Sequence, residues 1–316
     1  MHNLTTVATQ VGVLFALMGV GAACRWFRLV DDGAMKGMVN VLILIVTPCL
    51  VVDVFQRPFE RAALGALAAA FAIALAVHVA AVVAARVVAR GGADSLPVLR
   101  LAIAFSNAGF MGVPLEYAIL GPEGVFYGIV YVVMFNLFMW SWGLWEMGGR
   151  GGRGGAGCMN WRSIRQMVVN PGTVGLAAGL PLFLFSVRLP SVVGTPVLHM
   201  ASLNTPLAML VIGFYLAGAD FRRVLATPAA YVAAFMRLVA LPLALVGVLW
   251  LMRGRLDRTM SLAIVIAASA PVAAMVTMFA AKFDRDVDLS VGLVSGTTLL
   301  SMLTMPPVVA LAMALL

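Results

Sequence analysis

The chain has 316 residues, of which 63% are hydrophobic and only 11% are charged. Soluble domains carry about 25% charged residues, so this composition excludes a soluble enzyme, a soluble nucleic-acid-binding protein and a disordered protein. The formal net charge is +8, and its meaning depends on where the basic residues lie. The apolar runs are long and unbroken, whereas the strands of a membrane barrel would alternate in polarity. The composition therefore predicts an all-α polytopic membrane protein.

Ten apolar segments, each long enough to cross a bilayer as a helix of about 20 residues, follow one another along the chain. No basic stretch precedes the first segment, so we expect it to be a retained span and not a cleaved signal peptide. In chain order the predicted spans are residues 5–24, 37–55, 62–85, 98–119, 124–145, 168–187, 197–218, 227–251, 260–281 and 288–315.

The basic residues are distributed unevenly between the connections. Fourteen of the 21 Lys and Arg lie in the first, third, fifth, seventh and ninth connections, six lie in the other four, and Arg237 is left inside a span. Because positively charged loops stay in the cytoplasm, both termini are predicted to face outward. The net charge therefore reports topology, and we expect no nucleic-acid partner.

A glycine- and arginine-rich segment divides the chain almost in half. The tract from Gly148 to Gly157 resembles an RNA-binding tract, but its two arginines are too few for a useful electrostatic footprint, which favours a flexible cytoplasmic linker. The predicted organisation is a five-helix repeat at 1–146, a linker at 147–166 and a second five-helix repeat at 167–316. The three cysteines lack CxxC spacing and even pairing and are predicted to be free thiols: Cys24, Cys49 and Cys158.

The two halves carry faint signs of duplication. Because each half has five spans, an odd number, two homologous halves would be inverted relative to each other, which is a hallmark of secondary transporters. Three matches fall at equal rank in the two halves and at offsets of roughly 160 residues. The matched segments are Thr47-Pro48 with Thr205-Pro206, His78 with Arg237, and Leu101-Ala102-Ile103 with Leu262-Ala263-Ile264.

The predicted fourth and ninth spans both contain helix-breaking residues. Proline removes a backbone donor and glycine lowers helix stability, and broken backbone in a membrane is tolerated only where protein or water covers it. If the two breaks cross, two half-helix N-termini point at the crossing and favour an anion. Glycine and proline are also common in ordinary membrane helices. The candidate substrate residues are Asn107, Gly109, Gly112, Pro114, Ser269 and Pro271.

Two ionisable side chains lie clearly within predicted spans, His78 and Arg237. Arg237 is expected either to attract an anionic substrate or to neutralise the half-helix C-termini at the crossing. His78 is expected either to couple proton movement to transport or to form an ordinary helix–helix hydrogen bond. Asn136 is a further candidate for substrate contact. No Asp or Glu is placed at mid-depth; the acidic residues, including Glu116, fall near the predicted ends of spans.

Several motifs resemble those of the auxin efflux carrier family, which includes the plant PIN carriers and many bacterial members. The resemblance covers essentially the whole chain and is most specific at the fourth span. The motifs are Asn107-x-x-x-Met111-Gly112-x-Pro114, Asn170-Pro171-x-Thr173, Glu146 followed by glycines and Arg150, and Phe279-Ala280-Ala281-Lys282-Phe283.

The resemblance implies ten spans in two inverted repeats, with broken spans 4 and 9 crossing. Spans 1, 2, 6 and 7 would form a dimerising scaffold, and spans 3–5 and 8–10 a transport unit that moves as an elevator. The family handles organic anions, and the matching asparagine, here Asn107, contacts the substrate carboxylate. The chain lacks the long hydrophilic loop of the plant members and resembles a bacterial, inner-membrane protein. Malonate or malate is thus a more plausible substrate than auxin-like acids.

Two other classes of function remain as alternatives. A membrane-embedded enzyme would need a nucleophile, a base or metal ligands at depth, and the sequence shows no such set, so we expect no enzymatic activity, metal or cofactor. A channel would more naturally show charged rings or carbonyl filters. A channel or a non-transporting sensor is therefore the main alternative to a carrier, and trans-stimulated, saturable transport would separate the two.

Overall fold

The computed structural model describes residues 2–148, 171–219 and 221–316, and these ranges are helical apart from short connections. In the described residues, one isolated antiparallel β-bridge joins Ser106 to Val272. Most of the predicted linker at 147–166, with Cys158, lies outside the described residues. Cys24 and Cys49 are free thiols.

The helices of eight or more residues in the described ranges are numbered α1 to α12 in chain order. Seven stretches in the described part of the chain are long and apolar enough to cross a membrane, and α4, α7 and α10 are shorter apolar helices. The bounds are α1 His2–Trp26, α2 Asp32–Phe55, α3 Arg61–Val88, α4 Ser95–Ala104, α5 108–120, α6 122–148, α7 Pro171–Leu184, α8 Ser191–Leu216, α9 Pro228–Leu251, α10 Arg258–Ser269, α11 Met275–Lys282 and α12 Val287–Leu315.

The apolar stretch 108–148 is a hairpin and not one long helix. Gly121 has a φ of 69° and a ψ of −161°, which is not helical. A Cβ atom at Gly128 would overlap the carboxylate of Glu116, although residues twelve apart in a straight helix are separated by about 18 Å. The chain therefore folds back at Gly121, and α5 and α6 lie side by side. The helices follow the predicted apolar segments, while the total of ten membrane crossings stays a prediction.

Three prolines inside predicted spans are accommodated without ending the helix. Five-residue π-helical turns at 42–46, 108–112 and 236–240 end two residues before Pro48, Pro114 and Pro242. Proline cannot donate to the preceding turn and its ring needs room there, and the wider π turn removes both conflicts. Helices α2 and α9 therefore continue through Pro48 and Pro242, and α5 continues through Pro114, so the interruption after α4 lies at residues 105–107, before the π turn.

The surface of α3 shows how the bundle meets lipid. Small residues and His78 line its buried face, while Phe71, Leu75, Val79 and Val83 recur every four residues on its exposed face. Residues four apart share one side of a helix. A stripe of large apolar side chains on the outside is stable in hydrocarbon and would be unfavourable in water. The described helices thus form a multi-pass membrane protein.

Two helix pairs make the closest backbone contacts. A Cβ at Gly21 of α1 would overlap the Leu210 carbonyl of α8, and a Cβ at Gly213 of α8 would overlap the Met18 carbonyl of α1. In the same way, Gly175 of α7 lies against the backbone of Pro48 in α2. Small residues let membrane helices approach this closely. The pairs α1–α8 and α2–α7 are therefore fixed by glycine.

Replacing Gly21 by alanine is expected to destabilise the protein by about 1–3 kcal/mol, because the new methyl group forces two backbones apart. Gly19 lies two residues before Gly21 on α1, and a Cβ atom added there would have no neighbour within 4 Å. Gly19→Ala is thus the matched control and should leave stability unchanged or raise it slightly. Thermal unfolding in detergent measures both, and equal melting temperatures for the two variants would contradict the close α1–α8 contact.

The connections between helices gather at two ends of the bundle. At one end, Arg57 pairs with Glu123 at 3.7 Å, and the amide of Leu189 donates to Gln56 at 3.0 Å. A cavity of about 310 Å³ opens at this end, lined by residues from the connections 56–60 and 252–257 as well as by Glu123. This group contains the second, fourth, sixth and eighth connections of the predicted topology.

The opposite end is joined by arginines. Arg285 donates to the Met147 carbonyl at 2.9 Å and to Asp94 at 3.4 Å, and Arg223 donates to Asp286 at 2.7 Å. These contacts join the third, fifth, seventh and ninth predicted connections. The third, fifth, seventh and ninth connections therefore lie at one end and the second, fourth, sixth and eighth at the other, which is the arrangement that alternating membrane crossings require.

Candidate functional site

The two interrupted helices cross at their breaks. The α4 helix ends at Ala104 and α10 ends at Ser269, and the extended segments that follow pair antiparallel. The Asn107 amide donates to the Pro271 carbonyl at 2.7 Å, and the Ala273 amide donates to the Phe105 carbonyl at 3.0 Å. Backbone groups that the breaks release are thus satisfied by the other break, as burial requires.

Each interrupted helix resumes on the far side of the crossing with an uncapped N-terminus. The second halves, α5 and α11, begin after Asn107 and Ala274, and neither residue caps its helix with a side-chain hydrogen bond. Free amide groups and the helix dipole place partial positive charge at both N-termini. The crossing therefore presents two electropositive helix ends within one small region, as the glycine and proline pattern predicts.

Asn107 lies at this point with its side chain uncommitted. The residue is 5% exposed, and its carbonyl accepts from the amides of Met111 and Gly112 at 3.0 and 3.2 Å. Within the described ranges, its side-chain amide makes no hydrogen bond. An amide group held by its backbone but free at its tip is suited to a polar ligand.

The glycines of the motif have different surroundings. Gly109 is exposed, and a Cβ there would meet only Val132 at 4.0 Å, so space remains beside Asn107. Gly112 is buried, and a Cβ there would lie 3.3 Å from the backbone of Ala267 in α10. Gly109 thus leaves room for a ligand, whereas Gly112 allows the two broken helices to touch. Pro114 is buried in the first turn after the π-helical segment.

Arg237 joins the C-terminal ends of both first half-helices. Its guanidinium donates to the carbonyls of Ile103 and Ala104 in α4, at 3.2 and 3.3 Å, and to the Ala268 carbonyl in α10. The residue is 1% exposed. Three carbonyl oxygens at the negative ends of two helices form a favourable environment for a buried cation. These are the contacts required by the second of the two roles considered for Arg237.

His78 reaches the crossing through aromatic neighbours. Its Nδ1 lies 2.8 Å from the Ala74 carbonyl of its own helix, and its ring centroid lies 4.5 Å from that of Tyr131. The Tyr131 hydroxyl accepts from Ser106 at 3.4 Å, at the break itself. The Nε2 atom of His78 is buried and has no partner among the described residues. His78 is therefore connected to the first break through Tyr131 and Ser106.

Three other residues predicted for the site, Ser269, Pro271 and Asn136, form hydrogen bonds with the backbone. Ser269 is buried and donates to the Ile266 carbonyl at 3.0 Å, so its hydroxyl closes the end of α10. Pro271 supplies the carbonyl that receives the Asn107 amide. Asn136 is half-buried in α6, and its amide donates to the Val132 carbonyl at 2.9 Å, one turn back in the same helix. Its oxygen and its second amide hydrogen therefore remain for a ligand.

Sequence reasoning overlooked one contact at the site and one buried acid outside it. Thr297 of α12 accepts a hydrogen bond from the Val272 amide at 3.0 Å and so supports the second break. Glu116, placed near the end of a span by the sequence, is 0% exposed. A glutamate in an otherwise apolar helix, with glycines at Gly124 and Gly128 on the next helix, was the available signal. Among the described residues no group of acidic, His or Cys side chains could hold a metal ion.

Crossed, broken helices within a multi-pass bundle are typical of membrane transporters. A family model described as membrane transport protein matches residues 6–309. The chain belongs to this family of auxin efflux carrier-like transporters, which confirms the resemblance seen in its motifs. An uncharacterized transporter of Methanothermobacter thermautotrophicus is 28% identical over 210 residues. That match covers 66% of this chain and 65% of the other protein.

Proposed function

We propose that this protein carries small organic anions across the membrane, with dicarboxylates such as malonate or malate as the preferred class and auxin-like acids as a further option. One observation carries the proposal. At the crossing, Arg237 neutralises the negative ends of two half-helices, while the positive N-termini of the other two halves and the Asn107 amide stay free of side-chain partners within the described residues. An anion is the ligand that such a field stabilises.

The proposed architecture has ten spans in two inverted repeats, 1–146 and 167–316, joined by the linker at 147–166. Support comes from the glycine contacts, because exchanging the two halves turns the pair α1–α8 into the pair α7–α2. Further support comes from the separation of odd and even connections at the two ends. With the greater number of basic residues inside, both termini would face outward from a bacterial inner membrane.

In the proposed mechanism, the four helices α1, α2, α7 and α8 form a dimerising scaffold. The remaining helices hold the crossing and slide against this scaffold as an elevator, which exposes Asn107 alternately to the two sides. The tight α1–α8 and α2–α7 contacts fit a static scaffold. Export of an anion from a negative-inside cell is downhill by about 2.3 kcal/mol per charge and 100 mV. Import of a dianion would require coupling to a cation.

The proposal is tested by transport in proteoliposomes. A panel of mono- and dicarboxylates is offered with and without a membrane potential and with and without a pH gradient. We expect saturable uptake of at least one dicarboxylate that is accelerated by unlabelled substrate on the opposite side. Flux that does not saturate and is not trans-stimulated would favour a channel, and the absence of any flux would favour a sensor.

A further inference from the structure

Glu116 is a buried acid for which the crossing has no use. It lies in α5, between the crossing and Gly121, and it is 0% exposed. Within the described residues neither of its carboxylate oxygens has a hydrogen-bond partner. Its carboxyl group occupies the space that a side chain at Gly128 of α6 would fill. The absence of a side chain at residue 128 therefore creates the slot that holds this carboxyl group.

Within the described part of the chain, no charged group pairs with Glu116. Among the described residues, no ionisable side chain on its own hairpin or on the helices packed against it forms a hydrogen bond or an ion pair with its carboxylate. By contrast, the buried Glu146 pairs with Arg100 at 2.5 Å. The other ionisable groups on this hairpin and on the helices packed against it include Cys24, Arg25, Asp32, Lys36, Cys49, Asp53, Arg61, His78, Arg86, Tyr117, Glu123, Tyr127, Tyr131, Glu146, His199, Tyr215 and Arg258.

A carboxylate cannot stay ionised in this setting. An unpaired charge in an apolar interior is far more costly than a neutral acid, so the carboxyl group holds its proton in this conformation. A conformation that brought Glu116 to water would release that proton to the solvent and leave a carboxylate. Two conformations that bind a proton with different affinity are thermodynamically coupled to proton movement.

We propose that Glu116 is the proton-binding site that couples anion transport to the movement of one proton in the same direction. The proposal rests on the carrier function proposed above and specifies its driving ion. Glu116 follows Asn107 by nine residues, about 13 Å along a helix. A carboxylate at that distance weakens binding of an anion roughly tenfold at an effective dielectric constant of about 20. Anion binding at the crossing thus favours the protonated form of Glu116.

The test separates exchange from net transport in proteoliposomes, with malonate as the probe or the dicarboxylate that the panel identifies. The membrane potential is held at zero with potassium and valinomycin. When the external solution is more acidic, the wild type should accumulate substrate about tenfold per pH unit if one proton accompanies each anion. Glu116→Gln keeps the shape of the protonated acid, so it should exchange substrate normally but bring it only to equal concentrations on both sides.

Three variants serve as comparisons. Glu116→Asp keeps a titratable group and should recover part of the accumulation. Glu123→Gln removes an exposed glutamate seven residues further along, and it should behave as the wild type. His78→Gln tests the other buried titratable group near the crossing. Accumulation by Glu116→Gln equal to that of the wild type would overturn the proposal, as would its loss in His78→Gln alone.

Infrared spectroscopy gives a second readout that does not depend on vesicles. The wild type at neutral pH should show the carbonyl band of a protonated carboxylic acid that is missing from Glu116→Gln, and substrate should alter it. A wild type without this band would contradict the proposal even if exchange is normal. A wild type that exchanges no anion would instead refute the carrier function, and the coupling with it, whatever the band shows.

Discussion

Arg237→Ala is expected to destabilise the protein by several kcal/mol and to abolish transport. The substitution removes the shared donor of three buried carbonyls, those of Ile103, Ala104 and Ala268. A buried polar group left without a partner costs about 1–3 kcal/mol. The negative ends of two half-helices would then face each other without a cation between them. Thermal unfolding of the purified protein in detergent measures the loss.

Two further variants define the cause of this effect. Arg237→Lys keeps the charge but lacks the planar fork that reaches two helices at once, so we expect intermediate stability. Arg253→Ala removes an arginine that lies over the Trp250 ring in an exposed connection, and it should be nearly neutral. If Arg237 instead served mainly to bind substrate, Arg237→Ala would unfold at the wild-type temperature and show only weaker binding.

Asn107→Ala is expected to lower transport by about 10- to 150-fold while the fold is kept, since a hydrogen bond to a charged group is worth about 1.5–3 kcal/mol. The backbone bonds of Asn107 to Pro271, Met111 and Gly112 do not depend on its side chain. Substrate uptake and efflux in proteoliposomes measure the effect, and the melting temperature shows that the variant is folded.

The controls for Asn107 are an exposed asparagine and a change of charge. Asn40 is exposed on α2, so Asn40→Ala should transport normally. Asn107→Asp should be at least as damaging as Asn107→Ala, because a carboxylate at two helix N-termini takes the place of the anion and repels it. Normal transport by Asn107→Ala would remove Asn107 from the site.

The sequence predicted the helices and the breaks because both depend on local chemistry. Apolar length gave the spans, and the glycines and prolines near Asn107 and Pro271 gave the interruptions. The same rule was uninformative at Pro48 and Pro242, because whether proline breaks a helix or is absorbed by a π turn depends on the turn before it. A lone arginine in a span was enough to select Arg237 as important.

The sequence could not show which groups the buried side chains contact. The three carbonyls that Arg237 contacts belong to residues 31 to 134 positions away, and main-chain acceptors leave no signature in side-chain identity. The sequence also did not show that Glu116 is buried, because its burial depends on the fold at Gly121. The reversal at Gly121 sets the acid against Gly128, and a pattern along one helix contains no information about that register.

The bonds of Arg237 also constrain how the site can move. One side chain on α9 is tied to the ends of α4 and α10 at the same time. Sliding either half-helix along its own axis would break these bonds in an apolar interior, where no water replaces them. Local gating by a single broken helix is thus mechanically unfavourable. A motion that exposes the crossing to the other side of the membrane must therefore displace α4, α9 and α10 together. The guanidinium of Arg237 holds these three helices together as one rigid unit.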